Sequence, residues 1–388
     1  MTSGTAAAAD AEVPSYVDLP LVDHHCHGVL LRDVSRSEFE GLLNEASGRS
    51  PLGTTLFDSM LGLAVRRWCS PVLDLAPLSS AHDYLQRRGV LGFDEVNRRL
   101  VGAAGVTDFL VDTGFEPGLV CAPGELARVG SAKAHQVVRL ETLAQDLLAS
   151  GCRASDLGER FRQRLGEVDA VAAKSIAAYR VGLALPSVAP TADELVSALQ
   201  QLHAGTDGRY RIAHPVVNGW LAWAAIEAGL PLQFHVGYGD GDLDLAECDP
   251  LRLTGFLRAT EGHGVPVLLL HNYPFHRNAA YLAQVFDHAF MDVGLAVHNT
   301  GALSAGVLRE ALEIVPFGKL LFSSDGFGLP ELHYLGALLF RKGLSAVLDS
   351  LIVAGDLADA DARRVAALVG AANARRVYGL GGDGVAGQ

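Results

Sequence analysis

The sequence predicts an α/β chain folded as a (β/α)8 barrel of the TIM type, with helical insertions capping its C-terminal mouth. Three observations predict it. Eight short apolar runs recur along the chain, most stretches between them have room for a helix, and histidines or an aspartate lie at or just beside the ends of several runs. Short strands alternating with helix-length spacers are the pattern of βα units around a parallel sheet. Eight such units fit a barrel whose working side chains gather at the strands' C-terminal ends.

The runs, in order, are 19–24 (LPLVDH), 108–113 (DFLVDT), 136–141 (QVVRLE), 169–174 (DAVAAK), 231–236 (PLQFHV), 266–271 (PVLLLH), 290–295 (FMDVGL) and 319–324 (KLLFSS). Stretches such as TADELVSALQQLHAG and RNAAYLAQVFDHAF supply helices between them. A doubly wound open sheet is the structural alternative, but no GxGxxG follows the first run to support a nucleotide site. Residues 30–105 and 176–230 are too long for simple loops and contain helical stretches of their own, so they are expected as inserts over the barrel mouth. One domain is expected over 16–380, with disordered tails at 1–15 and 381–388.

Composition limits the function. The chain has 388 residues, 49% hydrophobic and 19% charged, enough for a large core. A formal charge of −13 argues against phosphate-backbone binding, so no nucleic-acid partner is expected. The five cysteines are scattered without a CxxC pair, which disfavours a disulfide framework or a zinc knuckle. No secretory signal and no run long enough to span a bilayer is visible, so a cytoplasmic protein without a membrane partner is expected.

The histidines carry the chemistry. His25 and His27 close the first run, His235 the fifth and His271 the sixth, and Asp325 follows the eighth. Side chains two apart on a strand share a face, so His25 and His27 can reach one ion from inside the barrel. HxH alone is weak. With two later histidines and an aspartate at strand ends it points to a divalent metal. His82, His135, His203, His263 and His288 fall where nothing else gathers and read as ordinary surface or locally satisfied residues.

This pattern resembles the amidohydrolase superfamily, in which HxH, His, His and Asp bind one or two divalent metals. VDHHCH, AAKSIAAYRVGL, FHVGYGDGDLDL, the stretch from LLHNYPFHRNAAYL to GLAVHNTG, and LLFSSDGFGLPE together resemble the FluG-type amidohydrolase domain. There the domain can be fused to a glutamine-synthetase-like domain; this chain is expected to stand without one. The resemblance implies a further ligand. Lys174 falls at the end of the fourth run, where binuclear members place a lysine that bridges two metals as its carbamate. The decarboxylase branch shares the other ligands and generally lacks that lysine. The plain alternative is a lysine paired with a carboxylate, and the metal count, one or two, follows from which holds.

Substrate candidates follow from position. Arg139 and Glu141 alternate on the third run, and Arg180 lies just past the fourth. A guanidinium there suits a substrate carboxylate, although Arg139 could equally order the site through an Arg–Glu pair. His276 and His298, after the sixth and seventh runs, are further candidates, and Glu331 is a weaker one. DGDLD at 240–244 opens like an EF-hand loop but has Leu245 where glycine is required and Leu251 where glutamate is required. It reads as a solvated loop over the site. Cys26 points away from its flanking histidines and reads as core.

The expected chemistry is hydrolysis of an amide or other C–N bond in a small, polar, carboxylate-bearing substrate. A bound divalent ion lowers the pKa of its water toward ~7, and Asp325 takes a proton and returns it to the leaving amine. The resemblance suggests a γ-glutamyl-type amide, with Arg180 holding its carboxylate. Non-oxidative decarboxylation of a small carboxylic acid is the runner-up. A metal-stabilised binding protein without turnover is a third reading, disfavoured by the complete ligand set. Zinc suits the histidine-rich set best, and manganese or iron fits the same ligands. The partner is a small-molecule substrate, and homo-oligomerisation is left open.

Overall fold

Seven parallel strands form one curled sheet, in sequence order, in the computed structural model, which describes residues 16–46, 52–206 and 208–381. They are β1 (Leu21–Cys26), β2 (Val106–Asp112), β3 (Lys133–Arg139), β4 (Ala170–Ser175), β5 (Leu232–Val236), β6 (Val267–His271) and β7 (Ala289–Met291). The tails expected at 1–15 and 381–388 lie outside the described residues, Gly381 excepted.

The eighth run differs from expectation. It enters through a 3-10 turn, Phe317–Lys319, and makes one isolated bridge, Leu320 with Met291. Its backbone nevertheless bonds both edges of the sheet. Leu321 N–H donates to Met291 O (3.0 Å), His24 N–H to Phe322 O (3.1 Å) and Asp325 N–H to His25 O (3.0 Å). The segment therefore lies between β7 and β1, which is compatible with a TIM-type barrel whose last stave is irregular. β7 is also shorter than the expected 290–295. Asp292 Oδ1 accepts the N–H of Gly294 at 2.7 Å, and the helix Gly294–Thr300 begins there instead.

β3 ends at Arg139, and Glu141 sits in the first turn of the helix Leu140–Ala149. Arg139 and Glu141 therefore do not alternate on a strand. Alternation does hold deeper in the sheet. Val22, Leu110, Val137, Ala172, Leu268, Leu270, Phe290 and Leu321 form one apolar layer, into which Ala374, Val377, Tyr378 and Leu380 pack from the C-terminal end of the chain. The larger apolar cluster fills the space between sheet and helices. Each large side chain buried there contributes about 1.5–3 kcal/mol.

The first long insert is tied to the barrel by a buried ion pair. Arg88, in the helical stretch Ala81–Ala103, donates from Nε to Glu331 Oε1 at 2.9 Å, and Tyr84 Oη–H donates to the same oxygen at 2.8 Å. Glu331 is fully buried in the helix Pro330–Ala354, so it anchors this insert and does not face substrate. Among the described residues, no helix is long and apolar enough to cross a membrane.

Candidate metal centre and active site

The donor atoms converge on Asp325. Its Oδ1 lies 3.3 Å from His25 Nε2 and 3.5 Å from His27 Nε2, and its Oδ2 lies 3.6 Å from His271 Nε2. Lys174 Nζ is 3.0 Å from His25 Nε2. The His235 ring packs on that of His271, centroids 4.8 Å apart, although its Nε2 meets Tyr238 O at 3.2 Å. All six expected ligand positions line one cavity of about 750 Å³.

The backbone is bent to bring them there. His271 and Asp325 have φ of 68° and 51°, left-handed values that non-glycine residues adopt at a cost and that cluster at functional sites. Buried side chains pin both. Asp292 Oδ1 accepts the N–H of His271 at 2.9 Å, and Asp23 Oδ1 accepts the N–H of Ser324 at 2.9 Å. The register of β1 on β2 shifts between Asp23 and Cys26, an irregularity of the kind that re-aims side chains beside active sites.

That shift turns His24 inward along with His25, and one buried network then fixes both rings. Gln233 Nε2 donates to the His24 carbonyl (2.8 Å) and to Tyr378 Oη (2.8 Å), so its Oε1 can only accept the Nδ1–H of His25 (2.9 Å). Tyr378 Oη–H is left to donate to His24 Nδ1 (2.9 Å), and His24 Nε2–H donates to Asp292 Oδ2 (2.9 Å). His25 is thereby held with its Nε2 lone pair toward the centre. His27 is set the same way, its Nδ1 lying 3.2 Å from the Asp112 carbonyl.

Charge states follow from burial. Burial, then the Lys174 charge, holds the His25 imidazole down at about 3, and burial pushes His235 and His271 below their ordinary value as well. These rings are neutral, and those of His25 and His271 have a nitrogen lone pair to offer. Burial alone would raise the Asp325 carboxyl, but His271, His25 and His27 hold it well below the usual range, as a carboxylate. Burial draws the Lys174 ammonium down to about 8, against the pull of Asp112 and Asp325.

These residues fit a divalent metal. Bonds of about 2.0–2.1 Å in a tetrahedral shell separate donor atoms by about 3.3 Å, close to the distances around Asp325. Neither nitrogen of His271 has a hydrogen-bond partner among the described residues, although the ring is fully buried. A buried imidazole left so costs about 1–3 kcal/mol unless something accepts its lone pair.

The substrate candidates divide. Arg180 lines the cavity, with Nε buried and unpartnered among the described residues and Nη1 3.7 Å from Asp242. His298 also lines it, fully buried, with burial drawing its imidazole down to about 4. Arg139 reaches the wall but grips Asp112 through Nε (3.0 Å) and Nη2 (2.6 Å), an ordering ion pair whose partner is this aspartate and not the expected glutamate. Glu141 is not part of the wall. It accepts from Ser175 Oγ (2.8 Å) and Ile176 N–H (3.0 Å), holding the chain after β4. His276 is outside the wall too, stacked on Tyr273 and paired with Glu310 at 2.7 Å. Asp240 and Asp242 of the DGDLD loop do line the cavity.

The sequence pattern does not point to Asp112, His24, Gln233 or Tyr378. Asp112 ends β2 beside His25 and His27, close enough to join them as a ligand group. The one available signal was its place at a strand end. The inserts supply Gly41–Ala46 and Leu61 to the cavity from one side of the sequence, and Tyr179, Arg180 and Arg209–Arg211 from the other.

Residues 163–380, more than half the chain, match the amidohydrolase family. The chain belongs to that family. As an amidohydrolase it is a metal-dependent hydrolase, and its ligand-type residues are those the fold brings together. It is 28% identical over 405 residues to the protein fluG of Emericella nidulans, covering 93% of this chain and 46% of that protein. The amidohydrolase thus spans about half the length of that curated relative. A solved Lactobacillus casei protein, described as a metal-dependent hydrolase, superposes with a TM-score of 0.80 at 28% identity, covering 94% of this chain and 96% of that one. A uronate isomerase from Bacillus halodurans shares the fold at 14% identity and a TM-score of 0.60, covering 94% of each chain.

Proposed function

We propose that this amidohydrolase cleaves an amide or related C–N bond in a small, polar, carboxylate-bearing molecule, such as a γ-glutamyl-type amide. The observation that carries the reading is the convergence of three imidazole nitrogens within 3.3–3.6 Å of one carboxylate. His25, His27, His271 and Asp325, with His235 beside them, would hold the metal, and zinc suits such donors. The bound ion supplies Lewis-acid polarisation of the carbonyl and makes water acidic enough to lose a proton near neutral pH.

The chain does the rest. Asp325 accepts the proton of the attacking water as the C–O bond forms, then delivers it to the nitrogen as the C–N bond breaks. Arg180 holds the substrate carboxylate, and His298 is placed to donate to or accept from the reacting groups. The inserts 30–105 and 176–230 act as the cap that shapes the pocket. Lys174 decides the metal count. As a carbamate it adds an anionic ligand for a second ion; as an amine 3.0 Å from His25 Nε2 it competes for that lone pair, leaving one ion.

The test is to strip the protein of metal, reload it with zinc, manganese or iron(II), and assay a panel of small carboxylate-bearing amides and carboxylic acids. Amine release that depends on metal is expected. Carbon dioxide release without amine release would replace hydrolysis by decarboxylation.

A further inference from the structure

We propose that Phe115 and Phe327 form a subsite for an aromatic group, so that the scissile nitrogen of the substrate carries an aryl-bearing substituent. The inference rests on the hydrolytic reading and names the leaving half of the substrate, which that reading leaves open.

The two rings belong to the site and not to the core. Both line the cavity of the metal centre and both are half-buried. Among the described residues, neither is one of the apolar side chains packed into the core. Their centroids lie 4.8 Å apart, and those of Phe115 and Phe327 lie 5.4 and 5.7 Å from the ring of His27. Two phenyl rings held out of the core, against an imidazole that faces the metal, offer a ligand apolar area and ring edges only.

Backbone contacts hold each ring in place. Asp112 Oδ1 accepts the N–H of Gly114 at 2.9 Å, and Thr142 Oγ1–H donates to the Gly114 carbonyl at 2.9 Å. A Cβ on Gly114 would stand 2.3 Å from Arg139 Cβ, so glycine is what lets the loop run this close. The Arg139 guanidinium, already gripping Asp112, lies 5.1 Å over the Phe115 ring and fixes it as a cation–π pair. For Phe327, His27 N–H donates to Gly326 O (2.8 Å) and Gly328 N–H donates to Gly28 O (2.9 Å). Those two bonds clamp it beside the end of β1.

The rings also give the site a direction. Tyr179 meets His235 at 4.5 Å between centroids, His235 meets His271 at 4.8 Å, His271 meets His25 at 5.4 Å and His25 meets His27 at 5.3 Å. Tyr179 marks one end of this row and the phenylalanines the other, with β5 across the barrel from β1. The Tyr179 end is polar, with Arg180, Asp240 and Asp242 in its wall, and the hydrolytic reading puts the substrate's acid there. The group beyond the scissile bond therefore points toward the phenylalanines. Asp325, which returns the proton to the nitrogen, stands two residues before Phe327. A third aromatic ring extends this tilted cluster at the 4.5–7 Å centroid spacing that such rings prefer. A charged or sugar-like group finds no hydrogen-bond partner on those two side chains.

The experiment uses the zinc-loaded full chain. Binding of benzohydroxamate and of acetohydroxamate, which share a metal-chelating head and differ in phenyl against methyl, is measured by calorimetry. Amine release from glutaric acid monobenzylamide and monomethylamide is measured alongside as kcat/KM. The wild type is expected to favour the aromatic member of each pair by about 10–100-fold, the range for burying one large apolar group. Phe115→Ala and Phe327→Ala should each cut that preference to a few-fold, while Phe115→Tyr, which keeps the ring, should keep most of it. The ratio within a pair is what is read, so a general loss of affinity and intrinsic differences between the probes cancel. Circular dichroism and zinc content check that each variant is folded and loaded. Equal binding of the two hydroxamates by the wild type, or an unchanged preference in both alanine variants, overturns the subsite. Cleavage of both amides with equal kcat/KM overturns the placement of the aryl group on the nitrogen and leaves hydrolysis standing. A hydroxamate preference that the alanine variants abolish, with amine released from neither amide, leaves the subsite standing and refutes the hydrolytic reading instead.

Discussion

Replacing Gln233 by Leu removes the acceptor that fixes the His25 ring while keeping an uncharged side chain of similar size. In the native protein His25 Nδ1–H donates to Gln233 Oε1 at 2.9 Å, and both residues are buried. The variant leaves that N–H with no acceptor, a loss of about 1–3 kcal/mol for a buried donor. His25 can then rotate or change tautomer, presenting N–H where the lone pair should face the ion. Removing a group that orients a metal-bound histidine typically weakens the metal by about 10–100-fold. Zinc affinity is measured by chelator competition on folded, metal-free protein, with the urea midpoint followed in parallel. Gln233→Glu keeps an acceptor for His25 and should recover most of the affinity, despite losing the donations to the His24 carbonyl and to Tyr378 Oη, each at 2.8 Å. A folded Gln233→Leu protein whose zinc affinity stays within about 3-fold of wild type, well short of that range, refutes the orienting role.

Other outcomes follow from the same geometry. Asp325→Asn should lower kcat by about 10²–10⁴-fold at saturating metal, since the proton carrier is lost; near-wild-type turnover would assign the proton transfer elsewhere. Arg180→Gln should raise KM by about 10–100-fold for substrates bearing a carboxylate, and far less for neutral amides, in steady-state kinetics. Glu331→Gln strips the charge partner from buried Arg88 and should cost about 3–5 kcal/mol in urea unfolding. His288 is buried, and its imidazole is held below the ordinary value, so the folded state favours the neutral ring. Its contribution is therefore fully present above the unfolded pKa of about 6.5 and is lost as pH falls from there toward the lower folded value. His288→Gln should flatten the stability profile over that acid range.

Much of the fold and of the ligand set is legible because barrel chemistry concentrates at strand ends. VDHHCH, LQFHV and LLLH carry their histidines where an apolar run stops, and a run stops where a strand leaves the core. Two kinds of information are not in the pattern. The first is local irregularity. On a regular strand His24 and His25 would face opposite sides, and the register shift in β1 is what brings both inward. The apolar run QVVRLE likewise gives no sign that helical backbone starts at Leu140, which takes Glu141 out of the site. The second is long-range pairing. Tyr378 meets His24 across 354 residues of sequence, and Arg88 meets Glu331 across 243. Neither partner has a spacing signature. Asp112 shows the same limit, because a carboxylate takes its role from the groups the fold sets around it.

The most direct measurement is a crystal structure of the zinc-loaded protein with anomalous scattering recorded at the zinc edge. Bond lengths of about 2.0–2.2 Å from an anomalous peak to the His25 and His27 nitrogens and to Asp325 are the result this account predicts. A zinc-loaded protein whose peak lies elsewhere, with those side chains bonded only to one another, contradicts it.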